Sequence, residues 1–366
     1  MYRLITVVLL AAATAPASAA DPPKKPAKAK VAILLFPGVE LLDFAGPGEA
    51  FAAAADADGN HLFEVYTVGL KKETIKSQGF LTVTPQYDPA DAPAPDVLVI
   101  PGGNVMPVLD DPGAMAWVAG RAKAECLMFS VCNGATVLAK AGLLDGLEVT
   151  THHGNREILA AIAPKTVCLK DRRFVDNGRV VTAAGVSAGI DGALHVIGRL
   201  KGADVARRTA TGMEFDYWSG FDPKSDRLTK TPSGAVAQAG RVHEPERRWA
   251  VMTLLATVRD HGVAEAVKAY PVLLAGAKGH DREMIEEAGL TQTAEWLLKH
   301  SRDPDLGLNA LKFIAETHPK SSAAHAALGR GLIEKKKPAE AKQALAKAVE
   351  LDPKNDAAKK LLESIK

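Results

Sequence analysis

A recurring type of short segment constrains this chain most. VAILLF (31–36), DVLVIPGG (96–103), CLMFSV (126–131) and RVVTAAG (179–185) are almost unbroken apolar runs. A strand that alternates apolar and polar residues buries one face, whereas a continuous apolar run reads as a strand covered on both faces. Between the runs lie stretches with helical texture, such as PGAMAWVAGRAKA (112–124) and SAGIDGALHVIGRLKG (187–202). FEVYTVGL (63–70) and LEVTTHH (147–153) read as further strands, and LTVTPQY (81–87) as a short strand or hairpin arm. Buried strands alternating with helices predict an α/β fold, a mostly parallel sheet sandwiched by helices and linked by right-handed crossovers. In such sheets ligands bind outside the carboxyl ends of the strands. Cys132, Gly102, Gly103 and His152 are all expected at such ends.

The strands are expected to stop near residue 220. FDPKSDRLTKTPSGAVAQAGRV is polar, rich in Gly and Pro, and reads as a linker, taken as 221–243. From Glu244 to the end the texture is helical. Pro319 and Pro353 stand 34 residues apart (353 − 319), each closing an apolar helical segment. Leu328, Gly329, Leu332, Ala341, Leu345 and Ala348 then occupy the positions of a tetratricopeptide repeat within about 287–366. The preceding unit is degenerate, with Gly307 in place of the usual alanine. Such units need neighbours to bury their faces. The tail is therefore expected to pack on the helices before it and to bind a protein or peptide partner, or its own first domain. A plain helical hairpin is the alternative.

At the other end, MYRLITVVLLAAATAPASAA carries one basic residue, Arg3, a short apolar stretch and the small-residue site Ala17-Ser18-Ala19. This is the pattern of an export signal over residues 1–19, and it predicts a periplasmic protein that leaves the membrane once the signal is cleaved. DPPKKPAKAK then reads as a tether, with the α/β domain taken as 30–220. The formal charge of +2 gives no support for nucleic-acid binding, which normally rests on a basic patch. Three cysteines, Cys126, Cys132 and Cys168, leave at least one thiol unpaired. A Cys126–Cys168 pair stays open.

Chemistry gathers around FSVCNGATVL (129–138), which places Cys132 at the hinge between a strand and a helix. Backbone N–H groups at a helix start favour thiolate, so a lowered thiol pKa is expected there. PGG (101–103) supplies glycines that let a backbone N–H approach a reacting atom. ELLDFAGPGEAF (40–51) supplies Asp43, which also reads as a helix cap. TTHH (150–153) supplies imidazoles. His152 and His153 raise the question of a metal, but no third ligand stands at a useful spacing. There is no Walker motif and no GxGxxG after a strand, so no cofactor is expected.

Taken in order, FPGVELLDFAGPGEAF, DVLVIPGGN, FSVCNGATVLAKAGLLDGLEVTTHH and FVDNGRVVTAAGVSAGIDGALHVIGRL resemble the ThiJ/PfpI family of the class I glutamine-amidotransferase-like superfamily. Within it the likeness is to isonitrile hydratases and to the amidase-like domains of AraC-type regulators, over about 30–217. The resemblance implies a flavodoxin-like fold and a cofactor-independent thiol hydratase or hydrolase acting on a small molecule. It implies Cys132 as nucleophile and Asp43 as its acid/base partner. Gly102 and Gly103 would form the anion pocket and His152 its rim. A homodimer is also in keeping with the family. Asn133 departs from the threonine usual after the cysteine in isonitrile hydratases, and His153 stands where relatives often carry an aromatic. That departure and the repeat-like tail motivate a second reading, a redox-sensing or ligand-binding module that signals through its tail. Protease or chaperone activity ranks last, since no peptide cleft is evident.

Overall fold

A computed structural model describes residues 27–215, 228–239 and 250–365. The expected export signal, 1–19, and most of the expected tether fall outside them. Among the described residues no helix is long and apolar enough to cross a membrane.

The apolar runs form the centre of an eight-stranded sheet. Its order is Leu228–Lys230, Val236–Ala239, Arg172–Asp176, Val180–Ala183, Leu127–Val131, Val97–Ile100, Ala29–Leu35 and Phe63–Gly69. The last five are mutually parallel, with Thr182 opposite Ser130, Leu98 opposite Met128 and Ile33 opposite Val99. In chain order these parallel strands run 2-1-3-4-5, the flavodoxin-like arrangement. Its ligand crevice opens where the connections diverge, beside the first and third strands. The residues after those two strands are the Asp43 segment and Gly102–Gly103.

Helices Leu41–Ala53, Ala188–Lys201 and Ala203–Gly212 pack together on one face of the sheet. Helices Met106–Leu109, Pro112–Lys123, Ala135–Lys140 and Arg156–Ile162 form the opposite layer. The first pair of helices approaches closely: a Cβ on Gly46 would lie 2.9 Å from Ile190, and one on Gly189 would lie 3.2 Å from Pro47. This close crossing fixes the start of helix Leu41–Ala53, and with it Asp43.

Two expectations need correction. The sheet does not stop near residue 220, because Leu228–Lys230 and Val236–Ala239 extend it as an antiparallel hairpin on Arg172–Asp176. The TPSG stretch is the turn of this hairpin, with Thr231 N–H donating to Ala235 O at 2.8 Å. A short edge strand carries little apolar signal, so it reads as loop. LEVTTHH is also not a strand of the main sheet. Only Glu148–Val149 is extended, and it pairs with Val167–Cys168 in a separate two-stranded ladder. Cys126, Cys132 and Cys168 are all free thiols.

The tail runs from helix Ala250–His261 to Asp356–Ser364, with its own core around Leu254, Tyr270, Leu311 and Phe313. Ser322–Glu334 and Pro338–Leu351 form the repeat expected from the sequence. Gly307 is explained by contact: a Cβ there would lie 2.3 Å from Leu298 N and 2.4 Å from Leu298 Cα. The tail docks on the α/β domain through specific polar contacts. Ser301 Oγ donates to Ala161 O at 2.7 Å, Arg302 N–H to Ile162 O at 2.9 Å, and Lys140 Nζ to Lys299 O at 2.6 Å.

Candidate active site

Strand Leu127–Val131 is fully buried and ends in Cys132, whose φ is +59°. A left-handed conformation costs a residue with a Cβ roughly 1–2 kcal/mol. The surroundings hold it there. Cys132 N–H donates to Ala184 O at 2.6 Å, and Thr151 Oγ1 donates to Cys132 O at 2.7 Å. Gly134 completes the turn, because a Cβ on it would lie 2.1 Å from Ile100 O. The neighbouring strand Val97–Ile100 thus fixes the elbow from beneath.

Three expected site segments converge at Gly102. A Cβ there would fall 2.3 Å from Asn133 Oδ1, 2.8 Å from Asp43 Oδ2 and 2.8 Å from Cys132 Cβ. Glycine is required by this approach. Asp43 is fully buried in the first turn of helix Leu41–Ala53, but its side chain does not cap that helix. Its Oδ2 instead accepts from Gly102 N–H at 2.9 Å. The Cys132 thiol and the Val186 N–H also face the carboxylate. Val186 adopts φ +49°, a strained value for a β-branched residue.

Electrostatics here run against the local rule. Burial first, and the nearby Glu40 charge, push the Asp43 carboxyl up to about 7, although the Gly102 hydrogen bond opposes this. The Cys132 thiol is pushed well above the ordinary thiol range, first by burial and then by the Asp43 charge. The Asn133 N–H works the other way and is outweighed. The expected lowering of the thiol pKa is therefore not found. The helix after the elbow, Ala135–Lys140, is only six residues long, and burial of the sulfur, with the Asp43 carboxylate beside it, outweighs it.

Gly102 and Gly103 do stand at the site, but their amides are already engaged. Gly102 N–H goes to Asp43, and Gly103 N–H donates to Asn133 Oδ1 at 2.8 Å. Asn133 Nδ2 returns a bond to Gly103 O at 2.9 Å. His152 does not sit at the end of a sheet strand. It caps a single 3-10 turn, with Nδ1 accepting from Gly154 N–H at 3.2 Å, and its ring lies 4.2 Å from that of His153. Its ring also packs on Gly185, next to the Ala184 carbonyl that anchors Cys132. His152 is thus at the margin of the site. Thr151 and Val186 are contributors that sequence reasoning missed. Thr151 lies inside the TTHH motif, and only its neighbour drew attention.

On the far side of Asn133 opens a cavity of about 430 Å³ between the two domains. Asn133 and Ile158 line it from the α/β domain, and Leu255, Met284, Thr293 and Trp296 from the tail.

Residues 29–199 match the DJ-1/PfpI family, and residues 298–365 match a tetratricopeptide repeat. Over 217 residues the chain is 31% identical to an isonitrile hydratase of Pseudomonas putida, covering 59% of this chain and 90% of that protein. It is 28% identical to the HTH-type transcriptional regulator GbdR of Pseudomonas aeruginosa over 187 residues, half of each protein. Among solved structures, a ThiJ/PfpI family protein from Pseudomonas syringae aligns with a TM-score of 0.48 at 25% identity, covering 69% of this chain and 98% of that one.

Proposed function

Because this chain belongs to the DJ-1/PfpI family, we propose that it is a cysteine-dependent hydratase or hydrolase of a small carbon–nitrogen or carbonyl compound, and that an isonitrile suits its site best. The observation that carries this reading is the pairing of Cys132, on its strained elbow, with a buried Asp43 carboxyl held near 7. A group titrating close to neutrality can both take and give a proton.

In this reaction R–N≡C and water give R–NH–CHO. Asp43 takes the proton of Cys132 Sγ and delivers it to the terminal isonitrile carbon, while Sγ bonds to that same carbon. The product of this step is the thioimidate R–N=CH–S–Cys132. Water then adds across the C=N bond, its oxygen to carbon and one hydrogen to nitrogen. The C–S bond breaks, and the hydroxyl proton returns to sulfur through Asp43. Atoms and charge balance, and the thiol is regenerated. A high thiol pKa suits this sequence, because the same proton is moved rather than discarded.

The occupied amides favour this substrate class. Acyl transfer builds an oxyanion that needs free N–H donors, yet Gly102 and Gly103 N–H are engaged by Asp43 and Asn133. The first step on an isonitrile builds no oxyanion. In this reading Asn133 shapes the substrate pocket and His152 shapes its rim. The redox-sensing reading is weaker, because oxidation needs a thiolate and both burial and Asp43 disfavour one. The repeat in the tail supports a protein or peptide partner as a further part of the proposal. The 1–19 pattern supports export; a mature amino terminus at Ala20 is the outcome expected from sequencing the secreted protein.

The test is direct. The purified chain is supplied with benzyl isonitrile, and N-benzylformamide is followed by proton NMR. No formamide above the buffer rate removes the isonitrile reading.

A further inference from the structure

The match to the hydratase covers 59% of this chain, and the cavity beside Asn133 is shared between the α/β domain and the tail. Much of its wall comes from the tail: Leu255 on helix Ala250–His261, Met284, and Thr293 and Trp296 on helix Glu287–His300. This wall is built, not loosely apposed. The Trp296 indole N–H is directed at Met106 Sδ of the α/β domain, and its ring lies 5.1 Å from that of the buried His300. The Ser301, Arg302 and Lys140 hydrogen bonds clamp the seam beside it.

The lining dictates the chemistry of an occupant. Among the described residues around the cavity none is charged, so against them a charged ligand would lose its hydration without compensation. Methionine side chains adapt to varied apolar shapes, and a Trp ring offers a face to a planar group. The volume of about 430 Å³ falls in the range of small-molecule sites, about 300–1,000 Å³. Asn133 belongs to both places: it lines the cavity, and its Oδ1 crowds the same point at Gly102 as Cys132 Cβ.

We propose that this inter-domain cavity holds the apolar aryl or cycloalkyl substituent of a neutral substrate, so that the helical tail sets substrate selectivity through Leu255 and Trp296. The small reactive head would extend past Asn133 toward Cys132. The identity of the head rests on the hydratase reading; the binding of the apolar group does not.

Two variants narrow the cavity from different helices, Leu255→Trp and Thr293→Phe, each in the full chain. Calorimetry measures N-benzylformamide binding in the Cys132→Ala background, where no reaction competes. Each narrowing variant is expected to weaken this binding at least tenfold. With Cys132 intact, the kcat/KM ratio for benzyl over methyl isonitrile should fall at least tenfold. Unchanged binding in both variants, or an unchanged ratio, overturns the proposal, as does a failure of the Cys132→Ala protein to bind N-benzylformamide at all. If the intact chain turns over no isonitrile, the hydratase reading falls alone. Calorimetry then still decides the cavity, and loss of binding in both variants upholds it.

Discussion

Asn133 grips both polar atoms of one residue, Gly103: its Oδ1 accepts from the Gly103 N–H at 2.8 Å and its Nδ2 donates to the Gly103 O at 2.9 Å. Gly103 has φ +108° and lies so close to the loop after the first strand that a Cβ on it would fall 2.4 Å from Gly38 O. Asn133 therefore ties the elbow to the end of the third parallel strand. Asn133→Ala removes both. Each net hydrogen bond contributes about 0.5–1.5 kcal/mol, so urea unfolding should show a loss of about 1–3 kcal/mol. A change below about 0.3 kcal/mol would show that the grip contributes nothing to stability.

Asp43 should make the fold less stable as pH rises. Its carboxyl titrates near 7 in the folded protein against a reference of 3.8. A folded pKa above the unfolded one means that the contribution to stability is complete below the unfolded value and lost as pH rises through the folded one. Asp43→Asn abolishes that loss. The variant should gain on the wild type between about pH 4 and pH 7 and hold the gain above it, by up to about 4 kcal/mol at about 1.4 kcal/mol per pKa unit. Thermal melts at pH 5 and pH 8 read the difference. A gap that shrinks with rising pH contradicts the assignment.

The same substitution should awaken the thiol. The Asp43 charge is one of the causes that raise Cys132, so Asp43→Asn should speed alkylation of Cys132 by iodoacetamide at pH 8, with Cys132→Ser as the blank. Cys126 and Cys168 are also pushed up by burial, to about 12 and about 11, and should contribute little. Equal rates in wild type and variant would show that the carboxylate does not restrain the sulfur.

Gly307 is a packing requirement, not a worn repeat position. Gly307→Ala would drive a Cβ into the backbone of Leu298, on the helix that carries Trp296. Overpacking of this kind costs about 1–3 kcal/mol, and the tail transition in a thermal melt should move down accordingly. An unchanged melt would mean that helices Glu287–His300 and Leu306–Thr317 separate without penalty.

The legible parts of the sequence were those that obey one rule over several residues. VAILLF and CLMFSV show as strands because both of their faces are buried, and the Pro319–Pro353 interval shows as a repeat because stacking demands a constant period. LEVTTHH misleads because its threonines are spent elsewhere. Thr150 Oγ1 donates to Arg172 O at 3.2 Å, tying it to strand Arg172–Asp176, and Thr151 Oγ1 donates to Cys132 O and braces the elbow, so neither continues a ladder. The rest of the site is non-local. Nothing near Cys132 in the chain announces that burial, together with a carboxylate 89 positions away (132 − 43), will reverse the pull of the helix start. Nor does any motif announce that Leu255 and Trp296 will stand across from Asn133. Those facts belong to the packing of helix Leu41–Ala53 on the sheet and of the tail on the α/β domain.

In the proposed reaction Cys132 and Asp43 together hydrate an isonitrile carbon. Initial rates of N-benzylformamide formation from benzyl isonitrile, compared between the wild type, Cys132→Ala and Asp43→Asn, separate this reaction from uncatalysed hydration. N-benzylformamide is expected from the wild type, and rates at least about a thousandfold lower from both Cys132→Ala and Asp43→Asn, a loss of roughly 4 kcal/mol in transition-state stabilisation. Turnover within tenfold of the wild type in either variant would overturn the assignment of these two residues.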